Sequence, residues 1–529
     1  MKKISILLLL ICVYHFAQTI TPTSGVVYVK KGSAGNGSSW SNAVGELADA
    51  LKAAKTNQNI QEIWVSKGTY KPMYSPEDNN FGIAYDTRNG FLMVNNVKVY
   101  GGFPDSGTPT MNDRNFLTNE TILSGDLDNN GITNINDAQH IVLSVGNVGT
   151  ALLDGFTIIH GKSINTAINI TINSNNITSG TIYASGGGIF IYNSSVSLNN
   201  LILTNNTAQS GGAIFTQNSS SVINNTKISN NTVASLGGAI LAVYSSNILK
   251  NVSISNNIAD ASGGGIFNNN SYTTAINTVI QNNSAPYGGG VYNHSSQPTF
   301  VNVLIANNSA TSSGGGVYNN LGGNYYNTTV VNNGNNGIYD SGTSKWYNSI
   351  IWDFVNGSNY TTATTIVRDV PSKSVINITQ LGISINDIFN NPSANDFTLK
   401  SNSSAINLGN NEYFDTAIYG NSDLAGHNRI VNARIDLGAY EFQQTLATHE
   451  TNVIEKKLAY PIPFKEVLNI NSPADIKLLE LYNMTGEIVL TKKNLPSQTT
   501  IPTSEFPAGM YILKITTRLG TESIKINKF

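Results

Sequence analysis

The chain is 529 residues long, with 12% charged residues and a formal net charge of −2. That balance excludes the basic footprint of a nucleic-acid binder and offers no attraction to an anionic membrane. Its single cysteine, Cys12, lies near the start, so the rest of the chain has no disulfide framework and no cysteine metal site.

Lys2 and Lys3, the apolar run Ile4 to Val13 and the Phe16-Ala17-Gln18 region have the three-part layout of a secretory signal peptide, residues 1–18. The apolar run is too short to span a bilayer comfortably. No transmembrane segment is therefore expected in the mature chain. Ile11 stands before Cys12 where a lipoprotein signal wants a small residue, which argues against lipidation.

Residues 25–140 read as an N-terminal cap and first irregular coils. Val26 to Val29 and Ile63 to Val65 are short β runs. Between them, Leu47, Ala50, Leu51 and Ala54 share one helix face, with Ser41-Asn42 as its candidate cap. An open sheet edge invites aggregation, so a helix here serves to cover an end. Residues 71–140 hold much of the charge, in loops inserted between β runs such as Val97 to Phe103 and Thr121 to Gly125.

Residues 141–442 read as the solenoid with its C-terminal cap, and residues 186–333 carry a regular repeat. Gly-Gly-(Gly/Ala)-(Ile/Val)-(Phe/Tyr/Leu) recurs six times, with third residues at Gly188, Ala213, Ala239, Gly265, Gly290 and Gly316, spaced 25, 26, 26, 25 and 26. Asn-Asn pairs begin at Asn205, Asn230, Asn256, Asn282, Asn307 and Asn332 with the same period. A second aliphatic series runs Leu203, Ile228, Ile254, Ile280, Ile305 and Val330, with an asparagine three residues before each, from Asn200 to Asn327. A fixed period of this length means a solenoid or array; a leucine framework is missing, and a propeller blade needs roughly 40 residues. If one period is one coil, equivalent residues stack at ~4.8 Å. Aliphatic ladders then fill the interior, and asparagines hydrogen-bond up the corners. The expected fold is all-β, a parallel β-helix, right-handed by analogy with known folds of this coil size.

After Val331 the period slips. Asp423 to Arg429 and Arg434 to Glu441 bring charge back, as expected of a C-terminal cap meeting water. Residues 443–457 form a polar linker. Residues 458–529 differ in composition: basic residues outnumber acidic ones, and Ile476 to Tyr482 and Met510 to Thr516 alternate as strands. Asn483-Met-Thr-Gly486 suits a hairpin turn. This block fits a small C-terminal β-sandwich.

Tyr460-Pro-Ile-Pro-Phe464, Leu468-Asn-Ile470, Leu481 to Val489, Pro507-Ala-Gly-Met-Tyr511 and Ser523 to Phe529 resemble the type A sorting domain of the type IX secretion system in Bacteroidetes, with Ile462 where Asn is usual. The resemblance implies contact with that machinery through residues 458–529, export, then cleavage of the block and attachment or release, hence an extracellular or outer-surface location. The Gly-Gly-Ala-Ile repeats resemble those of chlamydial polymorphic outer membrane proteins. Ile63 to Lys71 and Ile435 to Glu441 resemble the opening and closing of secreted Bacteroidetes β-helix proteins.

Chemistry is sparse on the array. From Thr181 to Val330 the only charged residues are Lys227, Lys250 and Asp260, and His294 is the one histidine, read as a solvated turn residue. No carboxylate pair for glycoside cleavage is available there. One ion-binding pattern stands out. Asp126, Asp128 and Asn130 precede Gly131 at the 1, 3, 5 and 6 spacing of a calcium loop, and Asn134 and Asp137 fall at positions 9 and 12. No helical pattern flanks it, so an ordinary Asx/Gly turn is the alternative. The sequence favours a secreted or surface-attached, adhesin-like scaffold without catalysis, binding surface polysaccharide or another surface protein. The alternative is an extracellular polysaccharide lyase or glycoside hydrolase, whose site would lie in residues 71–160 or 340–440.

Overall fold

The computed structural model of the chain describes residues 19–76, 86–164, 184–334, 336–376, 378–443 and 458–529. The expected signal segment 1–18 and nearly all of the expected linker 443–457 lie outside the described residues. The chain divides into two units, up to Gln443 and from Gln444 onward.

The first unit is a parallel β-helix. Three sheets run along it, of 21, 10 and 6 strands among the described residues. Every pairing between successive coils is parallel, and the register shifts only at Trp64–Ser66 and Ala285–Tyr287 among the described residues. In the ten-stranded sheet Ile189 stacks on Ile214, Ile240, Ile266, Val291, Val317 and Ile338 in turn. In the largest sheet Leu203 stacks on Ile228, Ile254, Ile280, Ile305, Val330 and Ile351. Both series are buried in the central apolar cluster. Successive strand residues face opposite sides, so the neighbouring series Phe190, Phe215, Leu241 and Phe267 forms a separate cluster on the outside of its sheet.

The corners explain the composition. The first glycine of each motif, from Gly186 to Gly314, has φ between 60° and 72°. A β-carbon on Gly186 would meet the Ile189 carbonyl oxygen at 2.5 Å. Asn200, Asn225, Asn251, Asn277, Asn302 and Asn327 turn the chain with φ of 48–53°, and the first Asn of each pair does so at 54–59°. Asparagine tolerates this left-handed region far better than β-branched residues.

At the N-terminal end the helix spans Leu47–Ala54 and buries Leu47, Ala50, Leu51 and Ala54 against Val27, Val29, Ile63 and Val65. Ser41-Asn42 does not cap it. Those residues belong to a 3-10 turn, Trp40–Asn42, because the Trp40 indole is buried with its Nε1 donating to the Pro109 carbonyl at 2.8 Å. The helix starts after an extended Glu46 with no side-chain cap.

At the other end the coils shorten. Val317 pairs with Ile338 and Ile338 with Val355, steps of 21 and 17 residues. Residues 388–437 reach the terminal coil through Ile366, which joins their apolar cluster. They lie along the flank of the spine, where Ile388, Phe389, Phe397, Leu399 and Leu437 cover Leu304, Val331, Ile350 and Trp352. The last coil is covered by the segment after it, with Val370 against the core and the Lys373 ammonium 3.5 Å from the centre of the Tyr360 ring.

The second unit holds two antiparallel sheets of three and four strands. Phe464, Leu468, Ile470, Ile476, Leu479, Leu481, Leu513 and Ile526 form the core between them. The expected hairpin turn is present: Asn483 Oδ1 accepts from the backbone of Thr485 and Glu487, and Gly486 has φ 82°.

Candidate metal centre and polar ladders

The acidic loop is inserted between strands Thr121–Ser124 and Val142–Val145. Its ends are closed by the Ala138 N–H donating to the Gly125 carbonyl at 2.9 Å. Asp126, Asp128 and Asp137 each offer an oxygen, all within 4.8 Å of one another. Asp126 Oδ1 accepts from the backbone of Asn130 and Oδ2 from that of Gly131, both at 3.1 Å. Asp128 Oδ2 accepts from the side-chain amides of Asn130, Asn134 and Asn136 at 2.9, 3.2 and 3.2 Å. Asp137 Oδ2 accepts from the Asn134 N–H at 2.7 Å. The remaining oxygens, Asp128 Oδ1 and Asp137 Oδ1, are buried and have no hydrogen-bond partner. Burial, with Asp126 and Asp128 close by, pushes the Asp137 carboxyl up to about 6.

The sequence pattern thus names three carboxylates that the fold brings together. Asn130 and Asn134 turn their amide nitrogens to Asp128, while their oxygens accept from the backbone of Ile132 and Asn136. Two participants carry no local signal. Asn136 joins them, and Lys71, from a preceding coil, sits 3.9 Å from Asp126 Oδ2 and donates to Asn129.

Inside the spine, the second Asn of each pair forms a buried ladder. The Nδ2 of Asn206, Asn231, Asn257, Asn283 and Asn308 each donates to the Oδ1 of the next at 2.9–3.1 Å. Each Oδ1 also accepts the backbone N–H of the preceding member, as Asn231 Oδ1 does from Asn206. The ladder ends on Asp353, whose Oδ2 takes both the backbone and side-chain N–H of Asn333. Burial pushes the Asp353 carboxyl up to about 6 although these hydrogen bonds lower it. A second ladder was not legible in the pattern: the hydroxyls of Ser219, Ser245, Ser271 and Ser296 each accept the N–H of the serine one coil back.

Near the end of the first unit Arg434 is exposed, but four other charges do not meet water. Asp423, Arg429, Asp436 and Glu441 are all buried. Their reason is backbone satisfaction: Arg429 Nη2 donates to the carbonyls of Asp436 and Gly438, Asp423 accepts from Ala425, His427 and Glu441, and Glu441 accepts from Val431 and Asp436. Burial pushes the Glu441 carboxyl up to about 8 despite nearby Arg429.

On the spine surface, His294 is exposed and its Nδ1 lies 2.9 Å from the Asn320 amide. Tyr292, Tyr318 and Tyr339 stack face to face, with centroids 4.5 and 4.3 Å apart. Their faces are used on one another, so they present edges and hydroxyls outward. A cavity of 470 Å³ lies beside the shortened coils, lined by Asn332, Trp352, Asp353 and Arg368. Arg368 there pairs with Asp369 at 2.6 Å.

Residues 458–528 match the family model of the secretion system C-terminal sorting domain, and residues 200–217 match that of the Chlamydia polymorphic membrane protein repeat. No curated protein matches the chain. The sorting domain marks a type IX secretion substrate, delivered to the cell surface or the extracellular space. No helix among the described residues is long and apolar enough to cross a membrane.

Proposed function

We propose that this secreted β-helix is an adhesin-like scaffold that binds a surface polysaccharide or another surface protein along its spine, without catalysis. One observation carries the reading. The protein's own flank segment is held by the corner asparagines: the Nδ2 of Asn302, Asn327 and Asn348 donate to the carbonyls of Ser422, Asp436 and Asn410 at 2.8, 3.1 and 2.9 Å. The same corner row continues uncovered through the exposed Asn225 and Asn251. A row of amides at the inter-strand spacing of ~4.8 Å suits a neutral ligand rich in carbonyls or hydroxyls.

Among the described residues, five carboxylates between Asp340 and Glu441 have structural partners. Asp340 bonds Gly342, Asp353 ends the asparagine ladder, and Asp423, Asp436 and Glu441 bond backbone N–H groups. The test is retention of the folded chain on immobilised neutral and anionic polysaccharides and on surface-protein extracts. Binding that weakens several-fold in the double variant Asn225→Ala/Asn251→Ala, relative to the control His294→Ala on the ten-stranded sheet, supports the reading. Retention unchanged by the double variant contradicts it.

A further inference from the structure

We propose that Asp126, Asp128 and Asp137 hold one calcium ion that clamps the inserted loop onto the spine. The loop ties down one oxygen of two carboxylates and leaves the other bare. Three asparagine amides converge on Asp128 Oδ2 and none on Oδ1. The Asn134 N–H fixes Asp137 Oδ2, while Oδ1, on a side chain with 0% exposure, finds no donor. A buried carboxylate oxygen without a donor is costly. Lys71 pairs with Asp126 Oδ2 at 3.9 Å and donates to Asn129, but it gives no hydrogen bond to Asp128 Oδ1 or Asp137 Oδ1, so both bare oxygens still want a partner. A bound cation serves both.

The donor set selects the ion. All three ligands are hard carboxylate oxygens, which suit calcium, magnesium or manganese rather than zinc or copper. Oxygens within 4.8 Å of one another fit a common centre at the 2.3–2.6 Å distances of calcium. Magnesium needs about 2.0–2.1 Å and a stricter octahedron. Asn130, Asn134 and Asn136 act as positioning residues, because their nitrogens face Asp128.

The mechanical consequence follows from how the loop is attached. The Thr133 hydroxyl donates to the Asn205 carbonyl at 3.1 Å, and the Lys162 N–H donates to the Ala138 carbonyl at 2.8 Å. An ion joining Asp126 to Asp137 closes the loop between these anchors and the coil beneath.

Calorimetric titration of the folded full chain with calcium chloride tests this, with magnesium chloride as control and melting temperatures recorded in calcium and in chelator. One saturable calcium site per chain is expected, with Kd of about 10⁻⁴–10⁻³ M or tighter and a melting temperature that rises by several degrees in calcium but not in magnesium. Asp137→Asn is expected to melt at or above the unmodified chain in chelator, because it removes a buried charge, and below it in calcium. A purely structural Asp137 would lower the melting temperature equally in both. If Asp137→Asn does not fold, the partly exposed Asp128→Asn carries the same comparison. No saturable calcium binding, or binding unchanged in Asp128→Asn, overturns the proposal.

Discussion

Within each Asn-Asn pair the two residues answer different demands. Asn256 holds a left-handed corner at φ 56° and is exposed, whereas Asn257 is buried and its Nδ2 donates to Ile228 O, Ser255 O and Asn283 Oδ1. Asn256→Gly is therefore expected to change stability by no more than a few tenths of a kcal/mol, since glycine takes that φ freely. Asn257→Ala strands donors and acceptors in the interior and should cost about 2–4 kcal/mol in chemical denaturation. At the ladder's end the carboxyl of Asp353 is the poorer fit. Its folded-state value near 6 lies above the ordinary one, so ionisation favours the unfolded chain. That penalty is absent below about pH 4, grows as pH rises toward 6, and is complete above it. Asp353→Asn should remove this slope and raise stability at pH 7 by about 1–3 kcal/mol. The repeat shows both asparagines, but which of them points inward depends on the left-handed turn between strands, which the period does not reveal. The serine ladder was hidden for a related reason: Ser194, Ser219 and Ser245 sit in polar turns whose composition reads as solvent-exposed.

The flank segment depends on a change in one element's outward face. Strand Thr299–Ala306 is buried along almost its whole length, while the equivalent strand Lys227–Ser229 exposes its lysine. That loss of alternation was present in the sequence and is the signal that something covers the later coils. The cover itself was illegible, because Asp423, Arg429, Asp436 and Glu441 look like surface charge until their backbone partners are seen. Arg429 is fully buried, and its Nε lies 3.9 Å from Glu441. Arg429→Met leaves buried carboxylates without a cation and should cost about 3–5 kcal/mol. The loss should appear as fast hydrogen exchange across residues 405–442 while residues 186–333 stay protected. Glu441 has its folded value raised to about 8, so its ionisation also favours the open flank. Its contribution is intact near pH 4.5, falls as pH rises, and is lost above 8. Glu441→Gln should flatten that dependence, measured as exchange rate in the flank against pH.

The molecule as a whole is a stack of nearly identical coils followed by a separate address. In such a stack each coil meets only its neighbours, and here all the ladders share one register. Deleting residues 214–239 removes one full turn, joins Ala213 to Ile240 and preserves every ladder, so the shortened chain should melt within a few degrees of the original. Deleting residues 214–226 moves the register and should abolish cooperative melting. The repeat, the two aliphatic ladders, the terminal helix and the sorting domain were all readable from spacing and motif. The acidic loop was readable as a pattern; Lys71 beside it was not, because only coil stacking brings distant residues together. The asparagine and serine ladders inside the spine are spent on their own rungs, and Asp423, Asp436 and Glu441 near its end accept from the backbone. Binding without turnover is the central expectation, and product analysis tests it most directly. The folded chain is incubated with neutral and anionic polysaccharides, with and without calcium, and assayed for new reducing ends and unsaturated sugars. Retention of a ligand with neither product is expected; either product, formed in proportion to the protein added, would contradict binding without turnover.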